Sequence, residues 1–153
     1  TEALWWLYDL NLSIKHDSIT AVTYLEQACE KNLPEALNNM GYYYAHGIIV
    51  KQDLEKATTL LHKAASLNSG MAYNNLGNIY SAKEFTKTPD WSKAADCFYK
   101  GAELNCPEAI YNYSLCLKKG KGVKKDKQAA KRWLEEAAKN GSEEALKELG
   151  KKR

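Results

Sequence analysis

One short pattern recurs four times in this chain of 153 residues: an alanine, three variable residues, a large residue, and then glycine or serine. Its last position falls at Gly41, Gly77, Ser114 and Gly150, so the spacings are 36, 37 and 36 residues. A second pattern, an aspartate followed four residues later by an alanine, keeps the same period. A period of this length is typical of repeat proteins in which each unit is one supersecondary element. The second series starts at Asp17, Asp53, Asp90 and Asp126.

Each unit is predicted to contain two antiparallel helices, which we call helix A and helix B. In the second unit, helix A runs roughly from Pro34 to His46 and helix B roughly from Asp53 to Leu67. In helix B, the alanine, the apolar residue four later and the small residue eight later share one face of a helical period. Small residues there let neighbouring helices approach closely. The triplets are Ala21/Leu25/Cys29, Ala57/Leu61/Ala65, Ala94/Phe98/Ala102 and Ala130/Leu134/Ala138.

Residues suited to helix ends mark each boundary. The four aspartates occupy the predicted N-cap of helix B, where a carboxylate accepts hydrogen bonds from unpaired backbone N–H groups. Asparagine or glycine follows each helix B, and these residue types best tolerate the left-handed conformation that ends a helix. No segment has the alternation of a strand, so we predict an all-α fold. The predicted left-handed positions are Asn32, Asn68, Asn105 and Gly141.

The motif Ala-x-x-x-Leu-Gly-x-x-Tyr, then Gly-x-Gly-Val-x-x-Asp, then Ala-Ala, resembles the Sel-one-like repeat, a relative of the tetratricopeptide repeat. Two units carry most of it. Ile49 stands where the second loop glycine is expected, and the third loop, 82–90, is one residue longer and lacks both glycines. The second unit supplies Ala36, Met40, Gly41, Tyr44 and Gly47, and the fourth supplies Gly120, Gly122, Val123, Asp126, Ala137 and Ala138.

The resemblance implies a right-handed α–α superhelix, or solenoid, of about four helix-turn-helix repeats plus a C-terminal helix. We expect a single repeat domain. Because the chain begins at Thr1 rather than methionine, it is expected to be a fragment or a processed form. The expected repeats are 1–33, 34–70, 71–106 and 107–142, and residues 143–153 are expected to form a capping helix.

The resemblance also implies an adaptor, and helix A of each repeat would face a concave surface that holds extended partners. We expect a non-enzymatic scaffold that binds a peptide or helix of another protein there. Asparagine amides can bond a peptide backbone, and tyrosine or tryptophan supplies rigid contact area. Asn39, Asn75 and Asn112 also recur, but we interpret them as structural. The predicted partner-binding residues are Trp6, Asn38, Tyr42, Asn74, Asn78, Tyr111 and Lys118.

An RNA-binding or other polyanion-binding helical repeat is the alternative, and it would use the basic C-terminal end. Residues 117–153 hold 13 Lys/Arg and 6 Asp/Glu, a net charge of +7, whereas the remaining 116 residues carry −4 of the total +3. The predicted groove is neutral to acidic until the fourth unit, which argues against nucleic acid. A thiol-dependent or hydrolytic enzyme comes last, because the register brings no Cys–His or carboxylate constellation together.

No cofactor and no metal are expected, because no pair of histidines has metal-ligand spacing and no Cys-x-x-Cys occurs. The longest apolar stretches fall far short of the ~20 residues that span a bilayer. The register places Cys29 and Cys97 in the core, and it places Cys116 on helix A. Cys106 aligns with serines at the start of helix A, where a thiol can become nucleophilic, although a simple serine replacement is the favoured interpretation. The sparse cysteines mildly favour a reducing compartment such as the cytoplasm.

Overall fold

The computed structural model describes residues 18–150, and within this range the chain forms eight α-helices and no strand. The described residues fall into two compact units, unit 1 up to Ser69 and unit 2 from Gly70 onward. Unit 1 contains α1 to α3 and unit 2 contains α4 to α8. The helices are α1 Ser18–Glu30, α2 Pro34–His46, α3 Leu54–Ser66, α4 Gly70–Ser81, α5 Trp91–Glu103, α6 Pro107–Lys119, α7 Lys127–Lys139 and α8 Glu143–Gly150.

Aspartates cap the helix B segments as the sequence predicts. The carboxylates of Asp53 and Asp90 each accept a hydrogen bond from a backbone N–H three residues later, at 3.0 Å. The carboxylate of Asp126 accepts two hydrogen bonds, from the backbone N–H of Gln128, two residues later, at 3.0 Å and from that of Ala129, three residues later, at 2.8 Å. The prediction for Asp17 lies outside the described residues. A capping carboxylate satisfies N–H groups that have no partner in the helix, and this fixes where each helix begins.

Left-handed residues end the helix B segments where the sequence predicts them. The φ angles are 58° at Asn32, 63° at Asn68, 57° at Asn105 and 91° at Gly141. Asparagine adopts this conformation at lower cost than other residues with a β-carbon, which explains its recurrence at this position.

The A–B loops close in the same way although their sequences differ. The backbone N–H of each capping aspartate donates to a carbonyl near the end of helix A: Asp53 to Tyr44 at 2.9 Å, and Asp90 to Tyr80 at 2.8 Å. In the fourth repeat, Asp126 donates to Leu117 at 3.0 Å. The longer third loop therefore absorbs its extra residue without changing where helix B starts.

The glycine of the repeated motif lies where helix A touches helix B. A β-carbon added at Gly41 would stand 2.7 Å from Cγ of Leu61, and one at Gly77 would stand 2.5 Å from Cε1 of Phe98. Both distances are below van der Waals contact, so the large residue of helix B packs directly against the backbone of helix A. In the fourth repeat Ser114 takes this position, and its hydroxyl donates to the Tyr111 carbonyl at 2.6 Å.

The C-terminal helix α8 covers the last repeat of unit 2. Ala145 is fully buried and packs in one cluster with Ile110, Leu134 and Ala137, and the half-buried Leu149 lies against the same cluster. An added helix of this kind removes the apolar edge that the last repeat of an array would otherwise expose.

The A–B loop of the second repeat contains a strained residue. Ile49 has a φ of +66°, and Gly122 has a φ of +71° at the corresponding position of the fourth repeat. A left-handed conformation costs about 1–2 kcal/mol for an ordinary residue, and the cost is higher for a β-branched side chain. Because Ile49 is 40% exposed, burial of its side chain does little to offset this cost.

We therefore expect Ile49→Gly to raise the free energy of unfolding by about 0.5–1 kcal/mol, as the relieved strain exceeds the extra chain entropy of glycine. Ile48→Gly is a matched control, because Ile48 is also 40% exposed and its φ is not positive. This control should lower the free energy of unfolding. Urea unfolding followed by circular dichroism compares the two, and equal effects of both substitutions would contradict the strain at Ile49.

Candidate functional site

In unit 1, the predicted A-helix residues fall into a buried and an exposed class. Asn38 is 7% exposed, and its amide donates to Oδ1 of Asn39 at 3.2 Å. Tyr42 is 39% exposed, and its ring centroid lies 4.2 Å from that of His46. Trp6 lies outside the described residues. Of these predicted contacts on α2, Tyr42 therefore presents the larger accessible surface.

In unit 2, the predicted residue Asn74 joins two A helices. It is 5% exposed, and its Oδ1 accepts a hydrogen bond from Nδ2 of Asn112 at 2.8 Å. Asn112, which the sequence analysis interprets as structural, supplies the donor from α6. An amide pair at this distance fixes α4 beside α6 and uses hydrogen-bonding capacity that a partner peptide would need.

The predicted residues Tyr111 and Lys118 meet at one carboxylate of α8. The hydroxyl of Tyr111 donates to Oε2 of Glu148 at 3.4 Å, and Nζ of Lys118 lies 2.7 Å from Oε1 of the same residue. The hydrogen bond and charge of Glu148 raise the pKa of Lys118. The pKa of the Tyr111 phenol is also raised, mainly by partial burial and next by the negative charge of Glu148. These contacts fix α8 against α6.

Two cavities lie at the same register of consecutive repeats in unit 2. The first encloses about 120 Å³ and includes Asn78 and Ser81 of α4 together with Leu115 of α6. The second encloses about 370 Å³ between α6, α7 and α8. The second cavity is equivalent to the first and lies one repeat later, because Leu115 and Lys118 occupy the positions that Asn78 and Ser81 have in the preceding repeat. Each cavity therefore lies where an A helix, its own B helix and the next A helix meet.

Lysine and tryptophan side chains border these cavities. Lys119 and Lys121 line the first, and Nζ of Lys121 lies 4.0 Å from the ring centroid of Trp91. This distance is typical of a cation–π contact. Lys127 and Lys131 line the second cavity beside Glu148.

Trp91, Lys119 and Lys121 are not among the binding residues predicted from the sequence. The one sequence feature that could have identified Trp91 is its position directly after the capping residue Asp90. The loop residue Gly122 lies so close that an added β-carbon would collide with the Trp91 carbonyl oxygen. This contact brings the loop lysines of one repeat to helix B of the preceding repeat, so it depends on tertiary packing.

The cysteines are free thiols with little nucleophilic character. Cys97 is 8% exposed and Cys116 only 3%, whereas Cys29 is half-buried. Burial raises the pKa of each of these three thiols to about 11. Cys106 is 7% exposed at the N-cap of α6, and burial again is the main cause that raises its pKa to about 11. Its Sγ lies 3.3 Å from Oε2 of Glu108, much as the hydroxyl of Ser142 lies 3.2 Å from Glu144. Cys106 therefore occupies a serine position.

The repeats of this chain match the model of the Sel1 repeat at residues 6–33, 34–69, 70–106 and 107–142. The chain belongs to the Sel1 repeat family. Sel1 repeats are typically protein–protein interaction modules, and Sel1 repeat proteins are generally non-enzymatic scaffolds. The family resemblance seen in the sequence is thereby confirmed. No curated protein matched the chain.

Solved Sel1 repeat structures share the fold. A Sel1 repeat protein from Oxalobacter formigenes is 29% identical with a TM-score of 0.80, over 95% of this chain and 59% of that one. The antigen c5321 of uropathogenic Escherichia coli, which displays an SLR fold, is 27% identical with a TM-score of 0.75; the match covers 88% of this chain and 28% of the antigen. Cysteine-rich protein B of Helicobacter pylori is 28% identical with a TM-score of 0.65; the match covers 89% of this chain and 97% of that protein.

These structures confirm the predicted fold class, an all-α helical-repeat superhelix. The Sel1 chain spans about three fifths of the Oxalobacter protein and little more than a quarter of the antigen. Between residues 18 and 150, every helix is too short or too polar to cross a bilayer.

We expect the Cys106 thiol to make stability depend on alkaline pH. Because burial raises its folded pKa to about 11 from an ordinary 9.0, its stabilising contribution is complete below pH 9 and is lost as pH rises through 11. Cys106→Ser removes that contribution. The difference in free energy of unfolding between wild type and Cys106→Ser should therefore shrink from pH 8 to pH 11, as measured by urea unfolding. A difference that stays constant would contradict the buried neutral thiol.

Proposed function

We propose that this Sel1 repeat chain is a non-enzymatic protein-interaction scaffold whose A-helix face holds an extended peptide or helix of a partner protein. The observation that carries the proposal is the pair of cavities at one register of unit 2. Consecutive cavities at a repeat spacing suit an extended segment, because side chains along it can enter successive sites. Asn78, Leu115 and Lys119 provide amide, apolar and cationic groups within this face.

The face of unit 2 is fixed before any partner arrives. The Asn74–Asn112 amide pair joins α4 to α6, and Glu148 joins α8 to α6 through Tyr111 and Lys118. Binding to a preformed surface costs little ordering of the scaffold, so modest contacts can give useful affinity. Asn74 and Tyr111 thus hold the helices of the proposed site, and Lys118 both holds α8 and lines the second cavity. Asn78 and Leu115 line the first cavity.

At the basic end, four of the described lysines lie within 4 Å of a glutamate. These glutamates are already counted in the net charge of +7 for residues 117–153, so the pairs leave the attraction for phosphates in place, and the salt dependence tested below separates the polyanion-binding alternative from the proposal. The neutral thiols, three buried and one half-buried, favour a scaffold over a thiol-dependent enzyme. The pairs are Lys118–Glu148, Lys131–Glu135, Lys139–Glu136 and Lys147–Glu143.

The test is affinity capture from cell extract by the intact chain and by Asn78→Ala/Leu115→Ala, with partners identified by mass spectrometry. The Asn78 and Leu115 side chains line the first cavity, and Leu115 also lines the second. We therefore expect the variant to capture at least tenfold less of the partner, as is usual when central interface residues are truncated. Asn74 is left intact, because removing its oxygen would leave the Asn112 amide without its acceptor. Circular dichroism checks that the variant is folded.

Ser92→Ala/Arg132→Ala is the control, because both residues are exposed on B helices outside the two cavities. It should bind like wild type. Retention of the same partner by the Asn78→Ala/Leu115→Ala variant would refute the A-helix face. Binding that is lost with nuclease and falls steeply with salt would instead indicate the polyanion-binding alternative.

A further inference from the structure

Unit 1 contains an open cleft between its two B helices, α1 and α3. We call it the B-helix cleft; its volume is about 660 Å³. Its apolar floor consists of Cys29 of α1, Met40 and Tyr44 of α2, and Leu60 of α3. Three of these side chains are half-buried, so the floor remains within reach of an incoming group.

The same register is filled in unit 2. Tyr99, Tyr113 and Trp133 form an aromatic cluster with ring centroids 5.2, 6.2 and 5.3 Å apart. Two repeats earlier, these positions are occupied by Glu26, Met40 and Leu60. The cleft of unit 1 is therefore open because its side chains lack the aromatic rings that close the matching groove, while the backbone pattern of the repeat is unchanged.

The rim of the B-helix cleft is acidic. Glu26 and Glu30 of α1 and Glu55 of α3 are exposed, and the capping carboxylate of Asp53 also lines the cleft. Among the residues that the structure describes, Lys56 is the one basic residue of this lining, and its Nζ lies 5.3 Å from the ring centroid of Tyr44. Four carboxylates beside one ammonium attract a cationic partner and repel an acidic one.

We propose that the B-helix cleft is a second docking site, which binds a basic segment of a partner protein through one aromatic anchor side chain. The anchor occupies the space that Tyr99, Tyr113 and Trp133 fill in unit 2, and flanking lysines or arginines pair with Glu26, Glu30 and Glu55. Protein interfaces usually combine a buried aromatic anchor at the centre with charged residues at the rim. The site involves other residues than the A-helix face, so either proposal can fail without the other.

The test uses a short fluorescein-labelled peptide in which one tryptophan is flanked by lysines on both sides, and fluorescence anisotropy of its binding to the full chain. Two matched peptides replace either the lysines by glutamates or the tryptophan by alanine. We expect the lysine–tryptophan peptide to bind at least tenfold more tightly than either one. Its affinity should fall as salt rises, because exposed carboxylates are screened.

The filled variant, Met40→Tyr/Leu60→Trp, places in unit 1 two of the residues that the same register accepts in unit 2. It should retain its helical content and lose at least tenfold in peptide affinity. Glu30→Gln, which leaves the floor intact, should weaken binding about two- to threefold at low salt. Glu103→Gln is its control, because Glu103 is the exposed carboxylate at the same register of unit 2. This control should bind like wild type.

Alkylation of Cys29 gives a second, site-specific measurement. Cys29 lines the cleft and is half-buried, whereas the other three cysteines are buried. Because the raised pKa of Cys29 makes its thiolate scarce, the chain is exposed to excess iodoacetamide for long enough that Cys29 of the free chain reacts measurably. Bound peptide should slow this modification in proportion to occupancy, as measured by peptide mass spectrometry, without changing that of Cys97.

Any of three results in the peptide experiments would overturn the proposal: no binding of the lysine–tryptophan peptide, equal binding of the glutamate peptide, or unchanged affinity in the folded filled variant. A concentration-dependent dimer of the chain that the filled variant abolishes, measured by analytical ultracentrifugation, would assign the cleft to a second copy instead of a partner.

Discussion

The structure depends on the direct contact between the backbone of helix A and the large side chain of helix B. Gly41 and Gly77 leave no room for a β-carbon, because Leu61 and Phe98 already occupy that space. Packing at this distance leaves Leu61 fully buried and Phe98 only 4% exposed, and close contact of this kind is the main source of cohesion in a small helical unit. The capping aspartates and left-handed asparagines then set the length of each helix, so that the contact recurs at the repeat spacing in the second and third repeats.

A repeated scaffold leaves two kinds of surface to vary. Along the A helices of unit 2, cavities recur because the A–B–A junction recurs, and their lining changes from asparagine and serine to leucine and lysine. Between neighbouring B helices, the same register is closed by three aromatic rings in unit 2 and open above an acidic rim in unit 1. Such positions can vary while the A–B contact preserves the fold, and the two proposed sites both lie at positions of this kind.

The fold could be predicted because its signals are local in the sequence. The contacts of the site residues could not be predicted in the same way. The predicted bounds of the second unit match α2 and α3, because Pro34, Asp53 and Asn68 act within their own turns. The site residues depend on partners far away in sequence. Asn74 and Asn112 are similar asparagines in the sequence, and their pairing across 38 residues is decided by the packing of α4 on α6. Tyr111 and Lys118 similarly meet Glu148 only once α8 has folded back.

The all-α class, the Sel1 repeat, the helix ends and the serine-like position of Cys106 can be derived from the amino-acid sequence, because each follows from periodicity or from backbone preferences within a few residues. Three other properties emerge from packing: which polar groups are used internally, that all four thiols are neutral, and which grooves are open. Those properties depend on burial and on distances between helices, and a linear pattern contains neither. The open cleft of unit 1 illustrates the difference: Glu26, Met40 and Leu60 look unrelated in the sequence, and packing makes them one surface.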